Sequence, residues 1–153
     1  MSRKKNGSRN VGDVVAIPLG DGTFGFGRVL ENALVAFYDY KSHRIESTDA
    51  ITAAKVAFSI PVMKYALTSG MWAVIDNVPL DEDLLHEPLF FKKDPITKEL
   101  SIYRDSTGEE VSATREECEG LECAAVWEPE HVVDRLNDHF AGRPNKWVES
   151  MRP

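Results

Sequence analysis

At 153 residues, 42% hydrophobic and 28% charged, the chain has the length and composition of one ordinary globular domain, which at this size removes about 68–70% of its unfolded surface from water. This argues against disordered, fibrous and membrane-spanning classes, because no run approaches the ~18 apolar residues of a span and two cysteines, Cys118 and Cys123, do not make a disulfide framework. The net charge of −7 is unevenly spread: Arg3, Lys4, Lys5 and Arg9 give the first ten residues +4 and leave −11 for the rest.

Residues 1–10 are polar and basic and cannot bury enough apolar area to order themselves, so a flexible basic tail is expected there. Val11-Gly12-Asp13 follows it. The apolar stretch of a secretory signal is therefore missing, and a reducing cytoplasm is the expected location. Residues 11–153 are expected to form a single α+β domain.

From Asp13 onward, short apolar runs alternate with turn residues, the pattern of strands. Val14 to Leu19, Thr23 to Leu30 and Ala33 to Tyr40 are the first three. Gly20-Asp21-Gly22 suits a tight turn between the first two, and Glu31-Asn32 has hairpin length for the second connection. In the middle strand Phe24, Phe26, Arg28 and Leu30 share one face, with Gly25 and Gly27 on the other. The missing side chains predict a sharp bend or the close approach of another backbone, as in a sheet curling toward a barrel. Pro18 lacks an N–H and predicts an edge or a bulge in the first strand.

A polar break at Lys41 to Asp49 precedes a strand at Lys55 to Ile60, a short helical stretch within Pro61 to Ser69, and a strand at Met71 to Ile75. Leu80 to Pro88 reads as an acidic loop. Leu89 to Lys93 and Leu100 to Arg104 flank Asp94-Pro95-Ile96-Thr97-Lys98-Glu99 as a hairpin with a longer loop. The clearest helix begins at Pro129, repeats Val133, Leu136 and Phe140 at helical spacing, and stops at Gly142. Its polar side carries Glu130, Asp134 and Asp138, so the apolar stripe should pack on the sheet. The expected fold class is α+β, with a curved antiparallel sheet or small β-barrel and a C-terminal helix packed on it.

Gly20-Asp21-Gly22-Thr23-Phe24-Gly25 has the letters of a glycine-rich phosphate loop, but a strand follows where a dinucleotide site needs a helix. The kinase reading also lacks its later lysine and metal-binding motifs. Cys118, Cys123, His131 and His139 could suggest zinc, yet the histidines lie eight apart, more than two helical turns, and do not easily converge on one ion. No nucleophile elbow is present, and the abundant carboxylates sit in polar runs that do not raise a pKa. No cofactor, no metal and no catalytic residue is expected. Four basic tail residues and the aromatics Phe24, Phe26 and Phe37 leave a nucleic-acid-binding or regulatory module as the alternative. The −11 body disfavours nucleic acid as a partner.

Between Asp105 and Glu130 nine carboxylates face a single cation, Arg115, a surface that attracts basic partners. The run Val11-Gly-Asp-Val-Val-Ala-Ile-Pro-Leu-Gly-Asp-Gly-Thr-Phe-Gly-Phe-Gly-Arg-Val-Leu, with Ala36-Phe37-Tyr38-Asp39 and Ser69-Gly70-Met71-Trp72-Ala73-Val74-Ile75, resembles the immunity protein 26 family of bacterial polymorphic toxin systems. The resemblance extends toward Trp127 and the following helix. It implies a non-enzymatic α+β protein that binds a cognate toxin domain and blocks it, with nucleases among the toxin classes met. Trp72 matches a family tryptophan and is read as core. An acidic protein steers toward the basic cleft of a nuclease. The contact is therefore expected among Asp81, Glu82, Asp83, Glu87, Glu116, Glu117 and Glu119, around exposed aromatic or aliphatic anchors.

Overall fold

The computed structural model describes residues 10–153, so the expected basic tail lies, but for Asn10, outside the described residues. The first three strands form as read, as an antiparallel meander of β1 (Asp13–Pro18), β2 (Phe24–Val29) and β3 (Leu34–Ser42). Gly20 and Gly22 take φ of 88° and 85° in the first turn, a region that costs residues with a β-carbon about 1–2 kcal/mol. The chain then runs straight into β2, with no helix whose amides could hold a phosphate.

The second turn sits one residue later than expected. Asn32 and Ala33 are its centre, with φ of 60° and 66°, closed by the Leu34 N–H donating to the Glu31 carbonyl at 3.2 Å. Ala33 reads as a strand residue in the sequence because alanine rarely adopts this left-handed conformation.

The chain continues through α1 (Thr48–Thr52), capped by Ser47, then β4 (Val56–Pro61), α2 (Tyr65–Thr68) and β5 (Ala73–Asn77). These complete a five-stranded sheet of order β4-β3-β2-β1-β5. The order is open at both ends, so no closed barrel forms among the described residues; an open curved sheet is compatible with it. β1 is an interior strand rather than the edge Pro18 suggested. β5 pairs only with Asp13 to Ala16, which leaves the missing N–H of Pro18 beyond its reach, and the irregularity falls between Val14 and Val15.

A second sheet of order β8-β7-β6-β9 follows. It is built from β6 (Phe90–Lys93), β7 (Leu100–Arg104), β8 (Glu109–Ser112) and β9 (Glu122–Cys123), with β9 parallel to β6. The short helices α3 (Glu82–Leu85) and α4 (Arg115–Cys118) precede β6 and β9. The acidic loop at 80–88 thus contains a helical turn. The chain ends in α5 (Pro129–Ala141) and α6 (Lys146–Ser150).

Both faces of the first sheet are covered. On one, Val15, Phe37 and Trp72 meet Val132 and Leu136 of α5, each such side chain contributing roughly 1.5–3 kcal/mol by leaving water. Trp72 is only 2% exposed and stands edge-on to Phe37 at 5.7 Å, a core residue as expected. Val132 takes the fully buried position on the helix, while Val133 and Phe140 pack at its margin. Gly25 and Gly27 make room here: a β-carbon on Gly25 would stand 3.3 Å from Leu136 Cδ1, and one on Gly27 3.0 Å from Val35 Cγ1. The close approach predicted from those glycines is by side chains of α5 and β3.

On the opposite face Val14, Ala16, Phe26 and Tyr38 pack with Ile51 of α1. A third cluster of Leu30, Leu34, Ala36 and Phe90 joins the two sheets. Beyond β4, the Trp127 N–H donates to the Pro61 carbonyl at 2.9 Å and the Met63 N–H to the Trp127 carbonyl at 2.9 Å, a short parallel bridge. Among the described residues no helix is long and apolar enough to cross a membrane.

Candidate functional site

The acidic segment after β5 is held by an arginine of β2. Arg28 is 1% exposed. Its Nε donates to the Gly12 carbonyl at 3.0 Å and Nη1 to the Tyr38 hydroxyl at 3.0 Å. Nη2 donates to the carbonyls of Val78 at 2.9 Å and Pro79 at 2.6 Å. A guanidinium offers five donors in a fixed plane, and here the fork pins the chain just before α3. Nearby, Asp76 accepts from Thr48 Oγ1 at 2.5 Å and from the Asn77 N–H at 2.8 Å. These bonds, with the Arg28 charge behind them, hold its carboxyl below the usual range. The fully buried Asp13 accepts from the Asn10 N–H and Asn77 Nδ2 at 2.9 and 2.8 Å.

From this anchored start, Asp81 takes the N-cap position of α3 without a side-chain capping bond, and Glu82 and Asp83 fill the first turn, where the helix end favours negative charge. Leu84 turns inward onto the cluster that joins the sheets. Leu85 turns outward and is 66% exposed. Asp81, Glu82 and Asp83 are all exposed, and their carboxylates enter no hydrogen bond or ion pair with the described residues.

Three clefts run end to end along the seam between the sheets. The first, of about 540 Å³, lies between α1 and the α3 segment and is lined by Tyr38, Lys55, Asp81 and Asp83. It shares Leu30, Leu84 and His86 with a second of about 200 Å³ that also touches Leu85, Glu31 and Glu87. The second shares Asn32 and Leu34 with a third of about 270 Å³, lined by Val62, Phe90, Tyr103 and Asp105. The result is one shallow groove with a leucine and phenylalanine floor and a mostly acidic rim.

The remaining predicted site residues are placed differently. Glu87 is tied down: it accepts from the Ser106 N–H at 2.7 Å, and the bonds from Ser106, with Arg104 close by, keep its carboxyl below the usual range. Glu117 closes a capping box on α4, accepting from the Thr114 N–H at 2.9 Å while Thr114 Oγ1 accepts from the Glu117 N–H at 3.2 Å. Glu116 is exposed on the same turn, and Glu119 lies beside a separate cavity of about 440 Å³ lined also by Phe91, Arg115, Trp127 and Arg152. Successive strand residues point to opposite faces. Phe90 reaches the groove and Phe91 this cavity, so α3 and α4 serve opposite faces of the second sheet.

Of the site residues singled out from the sequence, the groove brings together Asp81, Asp83 and Glu87; Leu85, Glu31, Asp105 and the arginine behind them were not singled out. Nothing in Asp81-Glu82-Asp83-Leu84-Leu85 says which leucine is solvent-facing, and Arg28 sits in a strand whose pattern gave only its face. Burial pushes the Cys118 thiol up. His131 stacks on Trp147 at 3.7 Å and His139 meets Asp39 at 2.8 Å. Among the described residues no three His, Cys, Asp or Glu side chains are grouped to hold a metal ion.

A family model described as Immunity protein 26 matches residues 10–101, from the residue before β1 into β7. Trp127 and α5, to which the sequence resemblance was extended, lie outside that match. No curated protein and no solved structure gives a significant match.

Proposed function

Because the chain belongs to the immunity protein 26 family, we propose that it neutralises a cognate toxin domain by stoichiometric protein–protein binding in the bacterial cytoplasm, performing no chemistry of its own. The family match over residues 10–101 is the observation that carries this reading. The charge supports it: a net of −7 steers the protein toward a basic surface such as the substrate cleft of a nuclease and raises the association rate. For an antidote, speed of capture matters as much as tightness.

The nucleic-acid alternative needs exposed aromatic rings on which bases can stack. Phe26 and Phe37 are both fully buried, and Phe24 packs against the second core cluster. They serve the core, and the acidic body repels phosphate.

Co-expression with the toxin domain encoded beside it tests the proposal. The expected result is restored growth and a one-to-one complex on size-exclusion chromatography. No rescue, or turnover of a small molecule by pure protein that a single surface substitution abolishes, refutes it.

A further inference from the structure

We propose that the groove along the seam between the two sheets is the toxin-docking surface, and that it takes a basic protein segment carrying an apolar side chain between its Lys or Arg residues. This rests on the functional reading above and adds where the contact lies and what chemistry it accepts.

Three observations converge on this surface. Leu85 stands 66% exposed at the end of the helical turn that begins with Asp81, Glu82 and Asp83, so an exposed apolar side chain and three carboxylates share one turn, an arrangement in which a central apolar side chain can carry much of the binding energy. The groove floor continues that apolar surface inward through Leu84, Leu30 and Leu34. Two rim carboxylates, Asp81 and Asp83, enter no ion pair with the described residues, whereas Glu122 is held by Arg135 at 2.8 Å, Asp138 by Arg143 at 3.1 Å and Glu117 by its own cap; Glu116 and Glu119 at α4 likewise enter none, but Glu119 stands beside a different cavity. Across the groove Glu31 and Asp105 keep the same sign. Of the two lining lysines, Lys92 is taken by Glu110 at 3.4 Å and the Tyr103 ring at 3.9 Å. A segment that matches this surface must place cations along both walls and a hydrocarbon group against Leu84 and Leu85.

The anchor and the rim have separable kinetic signatures. Rim charges act on the encounter, while a desolvated apolar anchor acts on residence time. The experiment measures association and dissociation rates of the full chain with the toxin domain encoded beside it, at low and moderate salt. Leu85→Ser is expected to raise the dissociation rate about tenfold and leave the association rate unchanged. Asp81→Asn with Asp83→Asn is expected to slow association about fivefold at low salt and to flatten its salt dependence. Ile96→Ser, at a hairpin tip and 88% exposed, removes an equally exposed apolar group away from the groove and should bind as wild type. All these side chains are at the surface, so unchanged thermal unfolding certifies the variants.

If wild type fails to bind the toxin, the functional reading falls and the groove with it. If wild type binds and the groove variants bind equally well, the function stands and the groove is overturned; a loss on Glu116→Gln with Glu119→Gln in that case moves the contact to α4. Two other occupants also overturn the proposal. One is a second copy of this chain, seen as a dimer that Leu85→Ser dissociates. The other is the chain's own basic N-terminus, seen as a carbodiimide cross-link from Lys4 or Lys5 to Asp81 or Asp83 in the free protein.

Discussion

Replacing Arg28 with methionine isolates what holds the acidic segment in place. Methionine keeps much of the hydrocarbon stem but removes every donor. Four acceptors lose a partner: the carbonyls of Gly12, Val78 and Pro79 and the Tyr38 hydroxyl. Gly12 keeps a second bond, from the Val78 N–H at 3.2 Å, and the bonds to Val78 and Pro79 are only part-buried, so water reaches some of the released acceptors; the Tyr38 hydroxyl is buried. An acceptor left unpaired in the interior costs about 1–3 kcal/mol, partly offset by no longer desolvating a guanidinium, so the net loss should be about 1–2 kcal/mol. Urea denaturation reads this directly, as a midpoint lowered by about 0.5–1 M for a domain of this size. Amide exchange should quicken first at residues 78–88, the segment that Arg28 releases. Arg28→Lys, which keeps the charge but not the planar fork, should fall between the two. A midpoint lowered by less than about 0.5 kcal/mol equivalent, with exchange at 78–88 unchanged, refutes the clamp.

Three further outcomes follow from particular contacts. Ala33→Gly relieves the left-handed φ of 66° and should stabilise the protein by about 1 kcal/mol, raising the thermal midpoint by about 2–4 °C; a lowered midpoint counts against a strained turn. Gly27→Ala sets a β-carbon 3.0 Å from Val35 Cγ1 and 3.2 Å from Val15 Cγ2 and should cost about 1–3 kcal/mol in chemical denaturation, with an unchanged midpoint showing that the strands part easily there. Tyr65 donates to Glu128, and that bond and the carboxylate charge push its phenol from 10.0 up to about 12. The raised value means this bond's contribution is complete below the unfolded value of 10.0 and is lost as pH rises toward about 12. Comparing absorbance titrations of wild type and Tyr65→Phe should therefore show a late tyrosinate that the substitution removes, and a difference curve with its midpoint near 10 would contradict the hydrogen bond.

The parts of the fold that were legible are those where local chemistry and burial agree. The β1–β2–β3 meander, the β6–β7 hairpin and α5 each carry apolar residues at their own period with turn or cap residues at their ends, down to Gly142 at φ 68° after the last helical residue. β8 and β9 were not legible: β8 is exposed at all four residues and β9 has only two, so neither shows an alternation. The division into two sheets was hidden for a related reason. Phe90 and Phe91 are adjacent apolar residues, and only the tertiary structure sends one to the seam and the other to the opposite face. At the candidate site, charge could be read from the sequence but availability could not. Asp81 and Glu117 look alike in the chain, yet the carboxylate of one enters no bond with the described residues and the other closes a helix cap.

The bridge between Trp127 and the Pro61–Met63 backbone has a consequence for how much of the chain can be dispensed with. β4 is the last strand on its side of the first sheet, and an uncovered outer strand templates pairing with other molecules. Trp127 supplies the covering contacts for its C-terminal end, and it comes from beyond residues 10–101 that define the family match. A fragment trimmed to the matched region would keep the meander but present the end of that strand to its neighbours. The C-terminal third of the chain thus supplies the backbone partners that end β4, and a trimmed fragment is expected to self-associate more readily than the full chain.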